Sequence, residues 1–465
     1  MKMISASVKL SELYRHLRID AEYYKPEYLA LETTLSKRGN LYPLRKYCSY
    51  IKKGIFDISP ELYTTSGVPL IRTSEIKTPL TNFTTTVYLD AKTHQENYKT
   101  ELHPNDIVLT KIGAYIGDVA ILPSKYPKYN FSQNVTGLSV KKTSINSCYL
   151  FAFLLSQYGR SQIKRVIMLS GQGKIELEDI RDLTVYEASK TLQDKIGEVV
   201  TLGQGLIEES QIVFIQAEEL LLSELGLLDW QPKHTLSFVR NYSETEQAER
   251  IDAEYFQPKY DEIAKALKKY KGGWDTLGNV VNIKDKNHKP KDKQAYKYIE
   301  LANIAGNGEI TDCMIEEGQD LPSRARRKVT VGDVIVSSIE GSLSSIALIE
   351  KEYDQSFCST GFHVINSKSL NSTTMLVLLK SIVGQMQLKK GCSGTILTAI
   401  NRDELKKIIL PIIDEKTQSN IQQKISESFI LREKSKHLLE CAKQAVEMAI
   451  EKDEKKAIQW LKSQT

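Results

Sequence analysis

The chain has 465 residues, 41% hydrophobic and 26% charged, with a formal net charge of +5. That is the composition of a globular protein of two to four domains, and no apolar run approaches the roughly 18 to 20 residues of a membrane span. MKMISASVKL at the start lacks the apolar core of a signal peptide, which predicts a cytoplasmic protein.

Lys9 to Lys37 reads as a helix or helix pair interrupted near Pro26, and it contains RIDAEYYKPEY (Arg18 to Tyr28). RIDAEYFQPKY repeats that phrase from Arg250 to Tyr260, near the chain's midpoint, which predicts two copies of one domain-sized unit. From Tyr42 to about Val140, short runs of Val, Ile, Thr and Tyr punctuated by Gly and Pro predict a mixed or mostly β domain. Leu150 to Ser170 reads as one amphipathic helix, followed by a Gly-bounded loop (Gly171 to Lys174) and an acidic strand-like stretch. Asn105 to Leu122 answers Gly332 to Ile349, setting Asp106 opposite Asp333; Phe131 to Val140 answers Phe357 to Ile365.

Thr191 to Leu225 is a long helix in which Ile196, Val199, Gly203, Leu206, Ser210, Val213, Ala217 and Leu220 form a coiled-coil seam, ended by Gly226. Leu227 to Glu249 reads as a connector before the second copy. In the last 50 residues, which lack Gly and Pro, Ile421, Ile425, Phe429, Leu438, Ala442, Ala445 and Ala449 mark a second long helix, its stripe broken by the charged turn Arg432 to Lys436. Packed antiparallel, the two helices would form a spine with a module at each end. The boundaries predicted are 1–189, a helix over 190–225, 226–413 with its connector at 226–249, and a helix over 414–465. These segments carry +7, −5, +2 and +1, so the modules hold the positive excess.

The six scattered cysteines (48, 148, 313, 358, 392, 441) contain no CxxC pair and predict reduced thiols rather than a disulfide framework or a zinc site. Phosphate-loop, H-x-x-x-H, G-x-S-x-G and Asn-Pro-Pro-aromatic signatures are absent. Ser161 to Lys164 matches S-x-x-K but reads as helix surface. No catalytic residue and no metal ligand is assigned.

Basic and polar loops remain as candidates for phosphate and base contacts. In the first copy they are Lys52, Lys53, Arg72, Thr73, Ser74, Lys111, Tyr115, Gln133, Asn134, Gln172 and Lys174. In the second they are Lys286, His288, Lys289, Lys291, Arg324, Arg326, Arg327, Ser338, Ser342, Thr360, His363 and Thr395. Two other readings compete: a self-sufficient methyltransferase or nuclease with unfamiliar motifs, and a protein-binding scaffold whose charge is incidental.

The doubled RIDAEYY opening, the doubled segments at Asp106 and Asp333, and SGTILTAINRDELKKIILPIIDEKTQ (Ser393 to Gln418) leading into a long helix together resemble the specificity subunit of type I DNA restriction-modification systems. The first copy departs from the closing phrase by lacking the proline that Pro411 supplies. The resemblance implies an α+β fold, mixed α/β, of two tandem pseudo-symmetric target-recognition domains joined by two long antiparallel coiled-coil helices. It also implies a non-catalytic subunit that binds double-stranded DNA, two methylation subunits and the restriction subunits, with no membrane partner. S-adenosylmethionine would be held by the methylation subunits and no cofactor by this chain.

Overall fold

In the computed structural model the repeated opening is a folded motif. The described residues are 7–10, 18–77, 79–81, 83, 86–168, 173–311, 313–394 and 398–464. The Arg18 guanidinium forks onto the Asp20 carboxylate at 2.6 and 3.1 Å, and Asp20 accepts the Tyr23 N–H at 3.1 Å. Arg250, Asp252 and Tyr255 repeat this at 2.7, 3.0 and 3.1 Å. Each guanidinium also lies over the following tyrosine ring, 4.8 Å from Tyr23 and 4.3 Å from Tyr255. Pro26 and Pro258 then open the helices Pro26–Ser36 and Pro258–Lys268. Pro26 therefore starts a helix instead of interrupting one, because a proline ring at the first position removes only an N–H that has no helical partner.

The chain divides into two compact units, Met1–Glu208 with Leu431–Thr465, and Glu209–Ile430. The predicted division at 189/190, 225/226 and 413/414 kept the long helices apart from the modules; the structure instead shares each helix between both units.

In the first unit a four-stranded antiparallel sheet runs in the order Cys48–Lys53, Val135–Val140, Ile107–Thr110, Val119–Ile121. The second unit repeats it as Val281–Ile283, Phe362–Ser367, Val334–Ser337, Ile346–Leu348. Every residue of Ile107–Thr110 and of Val334–Ser337 is buried, so these runs carry apolar side chains toward both faces. Asp106 and Asp333 hold the turns into these strands by accepting the backbone N–H groups of His103 and Thr330, both at 2.8 Å. A second sheet orders Val87–Leu89, Val68–Ile71 and Asn130–Phe131. Its counterpart orders Met314–Glu317, Ala295–Ile299, Phe357–Ser359 and Ala325–Lys328, one strand more.

The single helix expected over Leu150 to Ser170 is two, Ser147–Leu155 and Gln157–Arg165, and the first is buried on nearly every face. The chain turns at buried Ser156, whose hydroxyl donates to the Phe153 carbonyl at 2.6 Å. Ser381 does the same to Leu378 at 2.7 Å, between Ser372–Lys380 and Ile382–Gly391. The acidic stretch forms a short helix, Leu177–Arg181, before the strand Thr184–Tyr186, and the connector includes a helix, Tyr242–Ala248.

The long helices span Lys190–Glu224 and Glu415–Glu451, and a further helix, Glu454–Gln464, follows the second. In the first unit the Ser435 hydroxyl donates to the Gly203 carbonyl at 2.7 Å. In the second, Ser428 donates to Ser210 O at 2.8 Å and Lys424 reaches Gln216 at 2.8 Å, an antiparallel register. Of the predicted seam, Ile196, Val199, Val213, Ile421, Ile425 and Leu438 are buried, while Leu206, Leu220 and Phe429 are partly buried. The charged turn does not break the stripe: Arg432 is 2% exposed and Ser435 fully buried. A long guanidinium stem packs as apolar surface, so charge in the sequence concealed the seam. Among the described residues no helix is long and apolar enough to cross a membrane.

Candidate nucleic-acid interface

The pairing of the four-stranded sheets decides which loops meet. Because Cys48–Lys53 and Ile107–Thr110 both run antiparallel to Val135–Val140, the last residues of the outer two lie beside the first residues of the middle strand. Lys52, Lys53, Lys111, Gln133 and Asn134 thus gather at one sheet end. The Asn134 carbonyl accepts the Lys111 N–H at 2.9 Å, and Lys111 O accepts the Ile175 N–H at 3.0 Å, which brings Lys174 in through its bridge to Ile112. The Lys111 pKa is lowered, first by burial and then by the charges of Lys53 and Lys174, with Glu176 opposing. Lys174 pairs with Glu176 at 2.6 Å. Three ammonium groups therefore crowd one polar edge, which suits a polyanion.

Other predicted residues of this unit serve the loop. Arg72 binds the fully buried Glu75 through two nitrogens at 3.1 and 2.8 Å, and the Ser74 hydroxyl also donates to Glu75 at 3.0 Å, with Thr73 partly exposed between them. Ser132 N–H to Ile71 O, 2.9 Å, ties this loop to the same sheet end. Tyr115 stands in the turn after the strand Ile107–Thr110, 38% exposed. Gln172 lies outside the described residues.

The second unit presents the equivalent end with different chemistry. Ser338 donates both its N–H and its hydroxyl to Gly361 O at 2.9 Å, and Ser342 meets the Ser337 hydroxyl at 3.0 Å. Thr360 N–H reaches Arg324 O at 3.0 Å and His288 N–H reaches Arg326 O at 2.8 Å, so the lysine-rich loop, the extra strand and the Ser359–Gly361 turn form one surface. Lys286, His288, Lys289, Lys291 and Arg324 are exposed on it. Within the lysine run Lys284 is structural, donating to Asp333 at 2.6 Å and Thr330 at 2.9 Å, and Lys297 lies 4.5 Å from the Tyr353 ring centre. RARRK is a strand rather than a loop patch: Arg326 donates to Ser323 O at 2.9 Å, and the Arg327 Nε and Nη1 atoms are buried. Thr395 lies outside the described residues.

Sequence reasoning found His363 but missed Asp285 beside it and Arg402 on the far side of that carboxylate. Asp285 sits 3.7 Å from His363 Nδ1 and 3.4 Å from Arg402 Nε, while His363 Nε2 lies 3.1 Å from Ile400 O. The His363 ring chiefly holds the Asp285 carboxyl below the usual carboxylate range, against the effect of burial. Only strand pairing joins these distant positions, so no local pattern advertises them. Among the described residues no group of three or more His, Cys, Asp or Glu side chains could hold a metal ion.

Residues 48–201 match the family model described as type I restriction modification DNA specificity domain. Among solved structures, the S subunit of the type I restriction-modification system of M. genitalium is 13% identical, with 88% of this chain and 94% of that one covered and a TM-score of 0.37. The HsdS subunit from Thermoanaerobacter tengcongensis is 14% identical, with coverages of 89% and 96% and a TM-score of 0.30. The type IIG restriction endonuclease BpuSI is 13% identical over 41% of this chain and 30% of that one, TM-score 0.30. No curated protein matches.

Proposed function

We propose, since residues 48–201 match the family model described as type I restriction modification DNA specificity domain, that the chain is the DNA-recognition subunit of a type I restriction-modification complex. Each unit reads one part of a bipartite target, and partner subunits carry out adenine methylation and restriction. The observation that carries this is the repeated sheet end: one framework, with the same strand order and the same capping aspartates, presents two unlike sets of polar loops. A common frame with exchanged loops is what reading two unrelated half-sequences requires. The family model describes a DNA specificity domain, which does not favour a stand-alone methyltransferase or nuclease.

Lysines at these ends would meet phosphates, and the residues between them would read base edges in the major groove. The candidate contacts are those listed by loop above, with Arg72, Ser338 and Ser342 shaping the loops. Two methylation subunits are supported by the duplicated opening: Ile19 and Ile251, at the same position of each copy, are 88% and 90% exposed beside an ordered Arg–Asp fork. An apolar side chain held out at the same place in both copies suits one kind of partner bound twice. Those subunits would hold the S-adenosylmethionine, and restriction subunits would join for cleavage. The long helices link the readers covalently.

Sequencing methylated adenine in cells with and without the chain tests this reading. A split motif with two fixed halves should vanish when the chain is deleted. An unchanged methylation pattern would end the proposal.

A further inference from the structure

The two sheet ends can be compared position by position. In the first unit Lys53 pairs with Thr136, and Thr136 with Leu109. In the second, His363 pairs with Val336, and Ile283 with Ile365, which sets His363 at the Thr136 position and Asp285 at the Lys53 position. The bridges Ile112 to Lys174 and Ile339 to Ala399 are likewise equivalent. Three residues beyond each, a short helix begins, with Leu177 in the first unit and Arg402 in the second. A lysine edge has been replaced by a carboxylate with cations around it.

We propose that Asp285 is a positioning residue that holds Arg402 to read a guanine in the half-site of the second unit. The inference rests on the DNA-recognition reading above. Asp285 is mostly buried, 15% exposed, and its closest approach to Arg402 is at Nε, 3.4 Å, on the inner side of a guanidinium whose side chain is half in solvent. The Arg402 side chain is 51% exposed. A planar fork with its stem fixed matches guanine O6 and N7 together, a pattern no other base presents in the major groove. The His363 ring stands between Asp285, 3.7 Å from its Nδ1, and the Ile400 carbonyl, 3.1 Å from its Nε2. Arg327 supplies a further positive charge to the same carboxylate, and its buried Nε and Nη1 have no hydrogen-bond partner among the described residues. Asp285 therefore faces more positive charge than it neutralises, as a site awaiting an electron-rich base edge would.

The test maps methylated adenine motifs in cells expressing the full chain with its partners, as wild type, Arg402→Lys and Asp285→Asn. Arg402→Lys keeps the charge and loses the fork. The wild-type motif should contain a G·C pair at which Arg402→Lys lowers discrimination by about tenfold or more, with every other position unchanged. Asp285→Asn should relax the same position. The retained positions report that each variant has folded and assembled. An unaltered motif in Arg402→Lys, relaxation at a different position in Asp285→Asn, or uniform loss at all positions overturns the proposal. If no motif depends on the chain at all, the DNA reading itself has failed.

Discussion

Gln193 and Gln418 occupy the same place in the two repeats. Gln193 accepts the backbone N–H of Asn146 at 2.9 Å and donates to Ala188 O at 2.8 Å. Gln418 accepts that of Asn371 at 2.8 Å and donates to Ile413 O at 2.9 Å. Both asparagines cap a helix of their own module, so each glutamine fastens the start of a long helix to the unit it leaves.

Gln193→Leu and Gln418→Leu should each destabilise the chain by about 1 to 3 kcal/mol, because a buried N–H and a buried carbonyl lose their partners. Denaturant unfolding of the two variants measures this. Losses near zero would mean that the amide is replaced by water.

Arg72→Ala should lower stability more than DNA affinity. Glu75 is fully buried and Arg72 binds it through two nitrogens, so removing the arginine strands a carboxylate at a cost of roughly 3 kcal/mol or more. Thermal melting beside a DNA titration separates the two effects.

Lys53→Ala, Lys111→Ala and Lys174→Ala should each weaken DNA binding and reduce the slope of log affinity against log salt by about 1, if each ammonium meets one phosphate. Titrations at three salt concentrations give the slope. Equal slopes in variant and wild type would remove that lysine from the interface.

If two methylation subunits dock as proposed, Ile19→Asp should remove one, Ile251→Asp the other, and the double variant both. The masses of the assembled complexes read this directly. A single variant that loses both subunits, or neither, would contradict independent docking at the repeated openings.

The Lys380 ammonium donates to Ser344 O at 2.9 Å, and burial pushes its pKa down to about 8, with Glu218 opposing. An unfolded lysine titrates near 10.4, so between about pH 8 and that value the unfolded chain binds the extra proton. Stability from this group therefore rises with pH across that window. Lys380→Met should abolish the rise, as unfolding free energies at pH 7.5 and 10 would show.

The sequence displayed whatever rests on periodicity. The seam from Ile196 to Leu220 and the runs Ile107–Thr110 and Val334–Ser337 were legible because apolar spacing is a direct imprint of burial. Ser156 and Ser381 were missed, since a hydroxyl that turns a helix looks like any serine on a helix surface. Arg432 misled for the opposite reason, a charge that reads as a break in the stripe and lies inside the seam. At the sheet ends residue type was visible but partnership was not. Arg72 looked like a reader and holds Glu75, while Asp285 and Arg402 join only through the pairing of strands distant in sequence.

The strand Ala325–Lys328 lies at the edge of its sheet, beside Phe357–Ser359; among the described residues the first unit has at the equivalent edge only a single bridge, Leu102 to Tyr129. The strand's first residue, Ala325, packs into the core with Tyr298 and Phe357, while the other three are half-buried. On the proposed function, side chains changed along this outer strand would alter what the second unit reads while the shared strand order stays as it is.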